Sequence, residues 1–178
     1  MIRFLAEKLH NIYLAEALNQ SRFRKEVIAM VKTDKVGLTL PGFSMTVERG
    51  KIREMALAIG DNNPIYFDSD AARQAGFRDI TAPPTFLEVI DMWAGADFMT
   101  LCRELELNPV NVLHGEQEYE YLADICAGDE ISGRCQVVDF STKSGSSGGM
   151  NIISLETTYT NQDGQLVAIA RSKTIERF

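Results

Sequence analysis

The sequence has few cysteines, few histidines and no long apolar segment, and each shortage argues against a class of protein. Its 178 residues include three cysteines and two histidines. The cysteines are odd in number and lack Cys-x-x-Cys spacing, which argues against a disulfide framework and a zinc site. No stretch approaches the roughly 20 apolar residues that a membrane span needs. We therefore expect no secreted disulfide protein, no metal site and no membrane protein.

Negative charge dominates the chain but is unevenly distributed. The net charge is -7, while residues 1–40 hold seven Lys/Arg against four Asp/Glu. The acidic remainder repels phosphate backbones, so nucleic acid is not an expected partner. The opening MIRFLAEKLHNIYL is interrupted by Glu7, Lys8 and His10 and is followed by no small-residue cleavage site. It does not fit a signal peptide, and the sequence predicts a cytoplasmic protein.

Residues 1–37 are predicted to be a helical extension. Leu5, Leu9 and Ile12 follow the spacing of an amphipathic helix, and Phe23 and Val27 begin a second such run. Isolated helices of this length are marginal in water. We therefore expect the extension to pack on its own domain or on a partner subunit.

The middle of the chain combines turn signals with helical periodicity. A short strand is predicted at 44–47, a helix at 51–59 that ends at Gly60, and a small helix at about 70–75. The adjacent Pro83 and Pro84 mark the start of another helix. Its predicted buried face consists of Phe86, Val89, Ile90 and Trp93.

From Asn111 onward the apolar pattern changes to period two. Strands are predicted at 111–122, 130–142, 150–160 and 166–177. KSGSSGG is predicted to be a flexible connection, and NQDG is a hairpin signal. The pattern predicts an α+β fold over residues 38–178, in which one antiparallel sheet wraps around a long central helix.

Two blocks of the sequence resemble a known family. ERGKIREMALAIGDNNPIYFDSDAARQAGFRDITAPPTF closely resembles the N-terminal type of MaoC-like dehydratase domain. LHGEQEYEYLADICAGDEI resembles the strand and turn that follow the central helix in that family. The resemblance implies a hot-dog fold, homodimeric or heterodimeric pairing with a second hot-dog subunit, and an acyl-CoA or acyl-carrier-protein thioester bound at the junction.

The resemblance also implies a reaction in fatty-acyl metabolism. It is syn hydration of a trans-2-enoyl thioester to the (R)-3-hydroxyacyl thioester, or the reverse, and no cofactor is expected. Active members carry Asp-x-Asn-Pro-x-His, in which Asp and His hold the water and exchange its protons. Here the segment runs from Asp61 through Asn63 to Tyr66, so Tyr66 stands at the histidine position. An imidazole pKa near about 6.5 suits proton exchange better than a phenol pKa near about 10.

Three interpretations of this segment remain open. Asp61 acts as the base with Tyr66 as a hydrogen-bonding or weakly acidic partner, or the domain is a silent half whose paired subunit supplies Asp and His. In the third, Asp61 and Asn63 only cap the turn. A non-catalytic thioester-binding subunit and a hot-dog thioesterase, which uses a carboxylate and water, are the rival functions.

Two further places in the sequence supply candidate site residues. Strand alternation predicts His114 and Glu116 on one face, where they form a candidate acid–base pair against the commoner structural role of a strand histidine. By resemblance, Pro84, Thr85 and Phe86 begin the central helix and are candidate substrate-binding residues, and the backbone N–H groups of Thr85 and Phe86 are candidates for polarising the thioester carbonyl. The rival interpretation is an ordinary helix start.

Overall fold

The period-two runs in the second half of the chain form a single antiparallel sheet. The structure, a computed structural model, describes residues 35–146 and 148–178. The strands are β1 (Phe43–Thr46), β2 (Val112–Tyr121), β3 (Glu130–Gly145), β4 (Gly148–Thr160) and β5 (Leu166–Arg177). Their order across the sheet is β1-β3-β4-β5-β2, so β1 and β2 are its two edges. The four strands predicted after residue 110 are confirmed.

The turn between β4 and β5 fixes the register in which these two strands pair. The Asn161 side chain accepts from the N–H groups of Asp163 and Gln165, and Gly164 adopts a positive φ of 74°. Asx turns and left-handed glycines are the usual means of closing such turns. The register then pairs Thr158 with Ile169 and continues along both strands.

Four α-helices lie in the described chain between β1 and β2. They are α1 (Arg49–Ala58), α2 (Ser69–Gln74), α3 (Phe86–Ala94) and α4 (Phe98–Glu104), with 3-10 turns at Pro64–Tyr66 and Pro109–Asn111. Asp68 caps α2 by accepting from the N–H groups of Asp70 and Ala71, and Asp97 caps α4 by accepting from Thr100 N–H. These caps satisfy amide donors that helix starts otherwise leave free.

The core lies between the helices and one face of the sheet. Ile52 of α1 and the buried α3 residues Phe86, Leu87 and Ile90 belong to one cluster with Ile131 and Tyr159 of the sheet. A second cluster joins Cys102 and Leu105 in or beside α4 to β3 and β4. Burying each such large side chain contributes about 1.5–3 kcal/mol, which makes this face of the sheet the main source of stability.

The central helix departs from the prediction in two ways. The first is its length: a long central helix was predicted, whereas α3 has nine residues and is capped by Gly95. A Cβ at Gly95 would lie 2.5 Å from Asp91 O, so only glycine fits this sharp exit. Trp93, predicted to be buried, is 70% exposed, and Lys51 Nζ lies 4.4 Å from the centre of its ring. Phe86, Leu87 and Ile90 face the core, whereas Trp93, in the last turn of α3, lies beside Lys51 at the surface.

The glycine-rich connection is shorter than predicted. Lys143, Ser144 and Gly145 continue β3, and Gly148 and Gly149 already belong to β4. The pairing of Asn151 with Thr142 across these strands, reinforced by a 2.9 Å side-chain hydrogen bond, extends the hairpin into the predicted loop.

Two predictions concern the chain as a whole. Residues 1–34 of the predicted helical extension lie outside the described residues. In the described chain, none of the helices combines the length and hydrophobicity that a membrane crossing requires.

Candidate functional site

The candidate site is built on the turn that follows α1. Gly60 adopts a φ of 73°, and its N–H donates to Leu57 O at 3.1 Å while Asp61 N–H donates to Ala56 O at 2.9 Å. This is a Schellman motif, which ends a helix and fixes the direction of the next residues. The predicted cap at Gly60 is confirmed, and it determines where Asp61 lies.

Asp61 and Asn63 then shape the chain with their own side chains. Asp61 Oδ1 accepts from Asn63 N–H at 2.9 Å, and Asn63 Oδ1 accepts from Ile65 N–H at 3.3 Å. These bonds start the 3-10 turn at Pro64. Both side chains therefore have the capping role of the third interpretation, although Asp61 Oδ2 accepts no hydrogen bond from the described residues.

Tyr66 is the buried member of this turn. Its side chain is 6% exposed, and its hydroxyl makes no hydrogen bond with the described residues. Burial raises the pKa of Tyr66, and the nearby Asp61 carboxylate raises it further. The phenol is therefore held in its neutral form at neutral pH, where it can donate a hydrogen bond but is a poor proton carrier.

Three segments meet around Tyr66. Thr81 N–H donates to Ile65 O at 3.3 Å, and Ala82 N–H donates to Ile125 O at 2.8 Å. An ion pair between Arg78 and the buried carboxylate of Asp129 holds the same two outer segments together. These bonds hold the turn at 64–66, the segment 77–84 and the segment 121–129 side by side.

A groove of about 370 Å³ opens between these segments. This volume lies at the small end of the range for ligand sites. Its polar lining residues are Tyr66, Thr81, Tyr121 and Asp124, and the hydroxyls of Thr81 and Tyr121 donate to Ile125 O and Pro84 O. Its other walls are mostly apolar, contributed by Ile65, Phe77, Ala82, Pro84, Leu122, Ala123 and Ile125. Tyr66 and Pro84 are the predicted site residues that line it.

Pro84 and the start of α3 form one rim of the groove. The Tyr121 hydroxyl donates to Pro84 O at 2.7 Å, and burial raises the pKa of Tyr121 to about 12. Thr85 is exposed and makes no side-chain cap bond. Phe86 N–H donates to Pro83 O at 2.9 Å, so this amide is already engaged. The prediction that it polarises a carbonyl is corrected, and the Phe86 side chain lies in the core.

His114 lies away from this groove, at the other end of β2. A bulge at Gly115 interrupts the alternation, so His114 pairs with Thr174 whereas Glu116 pairs with Lys173. Directly paired residues share a face of a sheet, and Thr174 is buried while Lys173 forms an ion pair with Glu116. His114 and Glu116 therefore face opposite ways, and the predicted acid–base pair is wrong.

A second polar cluster on α3 was missed by sequence reasoning. Asp91 accepts from the buried Tyr159 hydroxyl, with oxygen–oxygen distances of 2.8 and 2.7 Å. Burial raises the pKa of Asp91 to about 6. One turn earlier, Glu88 accepts from the Tyr119 hydroxyl at 2.9 Å. The signal was available, since Glu88 and Asp91 are three residues apart in an otherwise apolar helix.

The described residues also bear on metal and thiol chemistry. Residues 35–146 and 148–178 contain no group of three His, Cys, Asp or Glu side chains that could hold a metal ion. Cys102 and Cys126 are buried and Cys135 is half-buried, all three as free thiols.

An antiparallel sheet with a helix against one face, and a groove where that helix begins, together define a hot-dog domain of α+β class. Sequence comparison agrees. The family described as "FAS1-like, dehydratase domain region" matches residues 34–170. The chain belongs to this family of dehydratase domains, which confirms the predicted resemblance.

Particular relatives show how far the likeness extends. A UPF0336 protein of Streptomyces griseus subsp. griseus is 34% identical over 143 residues, covering 80% of this chain and 92% of that protein. The HadBC complex of Mycobacterium tuberculosis, described as a 3R-hydroxyacyl-ACP dehydratase, has a TM-score of 0.68 and 23% identity over 81% of this chain and 98% of that chain. The ChsH1-ChsH2 complex from the same organism has a TM-score of 0.66 and 20% identity, covering 85% and 94% respectively. The structural likenesses confirm the hot-dog fold.

Proposed function

We propose that the chain is one half of a heteromeric (R)-specific enoyl-thioester hydratase/dehydratase. It contributes a wall of the thioester site, and a second hot-dog subunit supplies the Asp and His that perform the chemistry. The observation that carries this proposal is Tyr66, a buried phenol with a raised pKa that stands at the position of the family's histidine.

The chemistry explains why Tyr66 decides between the interpretations. Hydration adds the hydroxyl of water to C3 and a proton to C2, so one group accepts a proton from water and another returns one. A phenol whose pKa is raised above its usual range holds its proton too tightly to serve efficiently in this exchange. Asp61, which does not line the groove, is then left without an efficient acid partner at Tyr66.

The groove itself suits the proposed substrate class. Its walls are mainly apolar and its polar residues are few, a composition typical of small-molecule sites and compatible with an acyl thioester. The hydroxyl of Tyr66, which has no hydrogen-bond partner among the described residues, is the group we assign to orient the substrate. The crystal complexes to which the chain is similar each combine differently named subunits, which supports a heteromer here. The sequence alone supports our placement of the protein in the cytoplasm.

A second candidate is a complete enzyme that uses Asp61 with Tyr66. The electrostatic contact between these two side chains favours it, because a neutral phenol beside a carboxylate orients a water molecule. A hot-dog thioesterase is the third candidate.

The test is hydration of a medium-chain trans-2-enoyl-CoA by the purified chain, followed as loss of enoyl absorbance and by product chirality. We expect the thioester to bind, measured by calorimetry, without turnover above background. Tyr66→His restores the Asp-x-Asn-Pro-x-His pattern and is expected to raise turnover at least about tenfold, whereas the matched Tyr66→Phe gains nothing.

Each contrary result points to a different function. If the unmodified chain forms the (R)-3-hydroxyacyl product and Asp61→Asn abolishes it, the chain is a complete enzyme and the proposal is wrong. Release of free coenzyme thiol would identify a thioesterase. Absence of binding in every variant would contradict the proposal that the chain has a thioester site.

A further inference from the structure

The four polar residues that line the groove differ in how their side chains are engaged. The hydroxyls of Thr81 and Tyr121 donate to backbone carbonyl groups of the surrounding segments, at 3.2 and 2.7 Å. Their protons are therefore not available to a ligand. The hydrogen-bonding chemistry that the groove can offer depends on the other two polar residues, Tyr66 and Asp124.

Tyr66 supplies an unengaged donor to the groove. Its side chain is 6% exposed, and its hydroxyl has no hydrogen-bond partner among the described residues. Within the described chain, no fully enclosed side-chain nitrogen or oxygen lacks a partner. The Tyr66 hydroxyl is therefore accessible from the groove that it lines. A ligand atom that accepts a hydrogen bond would supply its missing partner.

Asp124 supplies an unengaged acceptor. It follows the end of β2, lines the groove and is exposed, and its carboxylate makes neither a hydrogen bond nor an ion pair with the described residues. Asp129 of the same segment differs, because it is buried, pairs with Arg78 and accepts from Cys126 N–H. The first carboxylate is therefore free for a ligand, whereas the second holds the fold.

Tyr66 and Asp124 reach the groove from opposite sides of one extended segment. The consecutive N–H groups of Thr81 and Ala82 donate to the residue before Tyr66 and to the residue after Asp124, at 3.3 and 2.8 Å. Consecutive N–H groups of an extended chain point in opposite directions. The groove measures about 370 Å³, which is small for a ligand site. A ligand in it therefore lies between a donor and an acceptor.

A hydroxyl fits this arrangement, because it can accept one hydrogen bond and donate another. The two ends of the proposed reaction differ in this group. The (R)-3-hydroxyacyl thioester carries a hydroxyl on C3, whereas the trans-2-enoyl thioester has no donor on its acyl chain. The thioester carbonyl is common to both forms and can only accept. The acyl chain of the hydroxyacyl form alone can therefore bind both Tyr66 and Asp124.

We propose that Asp124 is a specificity-determining residue that makes the groove prefer the (R)-3-hydroxyacyl form of the thioester. Its carboxylate accepts a hydrogen bond from the C3 hydroxyl, while the Tyr66 hydroxyl donates one to the same oxygen. This inference rests on the proposed function, because it assumes that the groove holds an acyl thioester. It adds which form of the substrate the groove retains and which residue selects that form.

The probes are a medium-chain (R)-3-hydroxyacyl-CoA and the saturated acyl-CoA of the same length, each titrated into the full chain by calorimetry. The two ligands share the coenzyme and the thioester, so the ratio of their affinities isolates the hydroxyl. We expect the unmodified chain to bind the hydroxyacyl-CoA about tenfold more tightly, as one hydrogen bond to a charged group allows. The (S)-enantiomer presents its hydroxyl in another direction and is expected to lose this preference.

Variants at Asp124 test which residue sets the ratio. Asp124→Ala removes the acceptor and is expected to bring the ratio of affinities to about one. Asp124→Asn keeps an acceptor oxygen without the charge and is expected to retain part of the preference. The matched control, Asp139→Ala, removes an exposed carboxylate of β3 that does not line the groove, and it is expected to leave the ratio unchanged. Circular dichroism and binding of the saturated acyl-CoA show that each variant is folded.

Equal affinities of the unmodified chain for the two thioesters would overturn this inference, and so would a preference that Asp124→Ala keeps. A parallel loss of affinity for both thioesters in Asp124→Ala would also overturn it, because Asp124 would then contact the part that they share. These three results leave the proposed function standing, since the groove still binds a thioester. Failure of the unmodified chain to bind either thioester would instead overturn the proposed function, and this inference with it.

Discussion

Asp61 and Asp91 are two carboxylates of one small domain that the fold uses in opposite ways. Asp61 is half-buried in a turn and binds the backbone two residues further on. Asp91 is half-buried between α3 and the sheet and accepts from the Tyr159 hydroxyl of β4. The first carboxylate shapes local backbone, and the second links the central helix to the sheet. A motif identifies a carboxylate of the first kind, and only packing identifies the second.

The largest expected effect is the pH dependence that Asp91 imposes on stability. Its pKa is raised to about 6, whereas an unfolded Asp titrates near about 3.9. The folded chain holds this proton more tightly than the unfolded chain. The stabilisation that protonated Asp91 contributes is therefore fully present below about pH 4 and is lost as pH rises through about 6, by about 3 kcal/mol. Asp91→Asn removes this loss.

Urea unfolding of the unmodified chain and of Asp91→Asn, from about pH 4 to 7, measures this pH dependence. The difference in unfolding free energy between Asp91→Asn and the unmodified chain is expected to move in favour of the variant by about 3 kcal/mol. A difference that stays constant across this range would show that Asp91 is not desolvated.

The next effect compares two buried tyrosines. Tyr159→Phe leaves the Asp91 carboxylate without its hydroxyl donor and is expected to cost about 2 kcal/mol at neutral pH. Tyr66→Phe is expected to change stability by less than about 0.5 kcal/mol, because the Tyr66 hydroxyl has no hydrogen-bond partner in the described chain. Equal losses of unfolding free energy for the two variants, in thermal or urea unfolding, would show that the hydroxyls of Tyr159 and Tyr66 contribute alike.

A smaller effect is expected at the helix exit that places Asp61. Gly60→Ala forces a side chain into a φ of 73° and is expected to cost about 1 kcal/mol. The matched Gly50→Ala lies inside α1 and is expected to stabilise by about 0.5 kcal/mol. Neither Cβ meets another atom within 4 Å, so the comparison isolates backbone conformation. A neutral Gly60→Ala would contradict the left-handed geometry.

The smallest effect is expected at Asp61 itself. Asp61→Asn keeps the oxygen that accepts from Asn63 N–H and is expected to change the unfolding free energy by less than about 0.5 kcal/mol. Asp61→Ala removes the acceptor and is expected to cost about 1 kcal/mol. Identical values for Asn and Ala would show that this hydrogen bond contributes nothing.

Much of the fold was predictable because the signals are local. The four long strands follow period-two runs, and the hairpin at 161–164 follows from Asn and Gly in a turn. The end of α1 follows from Gly60. Each of these depends on a few neighbouring residues whose backbone preferences agree with the final fold.

The site was predictable only in part. The turn at 61–66 and Pro84 came from the resemblance, whereas the opposite wall at Tyr121 and Asp124 came from the structure. The His114–Glu116 pair failed because one bulge at Gly115 reverses the face of everything beyond it. A bulge is decided by the pairing with β5, which strand alternation in one segment cannot reveal.

The sequence by itself determined the order of elements, which depends on local pattern. Its resemblance to the MaoC-like family implied the hot-dog class and the replacement of the family's histidine by Tyr66. Only the tertiary structure decided that Asp91 is half-buried against Tyr159 and that a bulge at Gly115 turns His114 and Glu116 to opposite faces. These properties arise where segments distant in sequence meet, since burial and strand pairing are set by neighbours that the chain supplies from elsewhere.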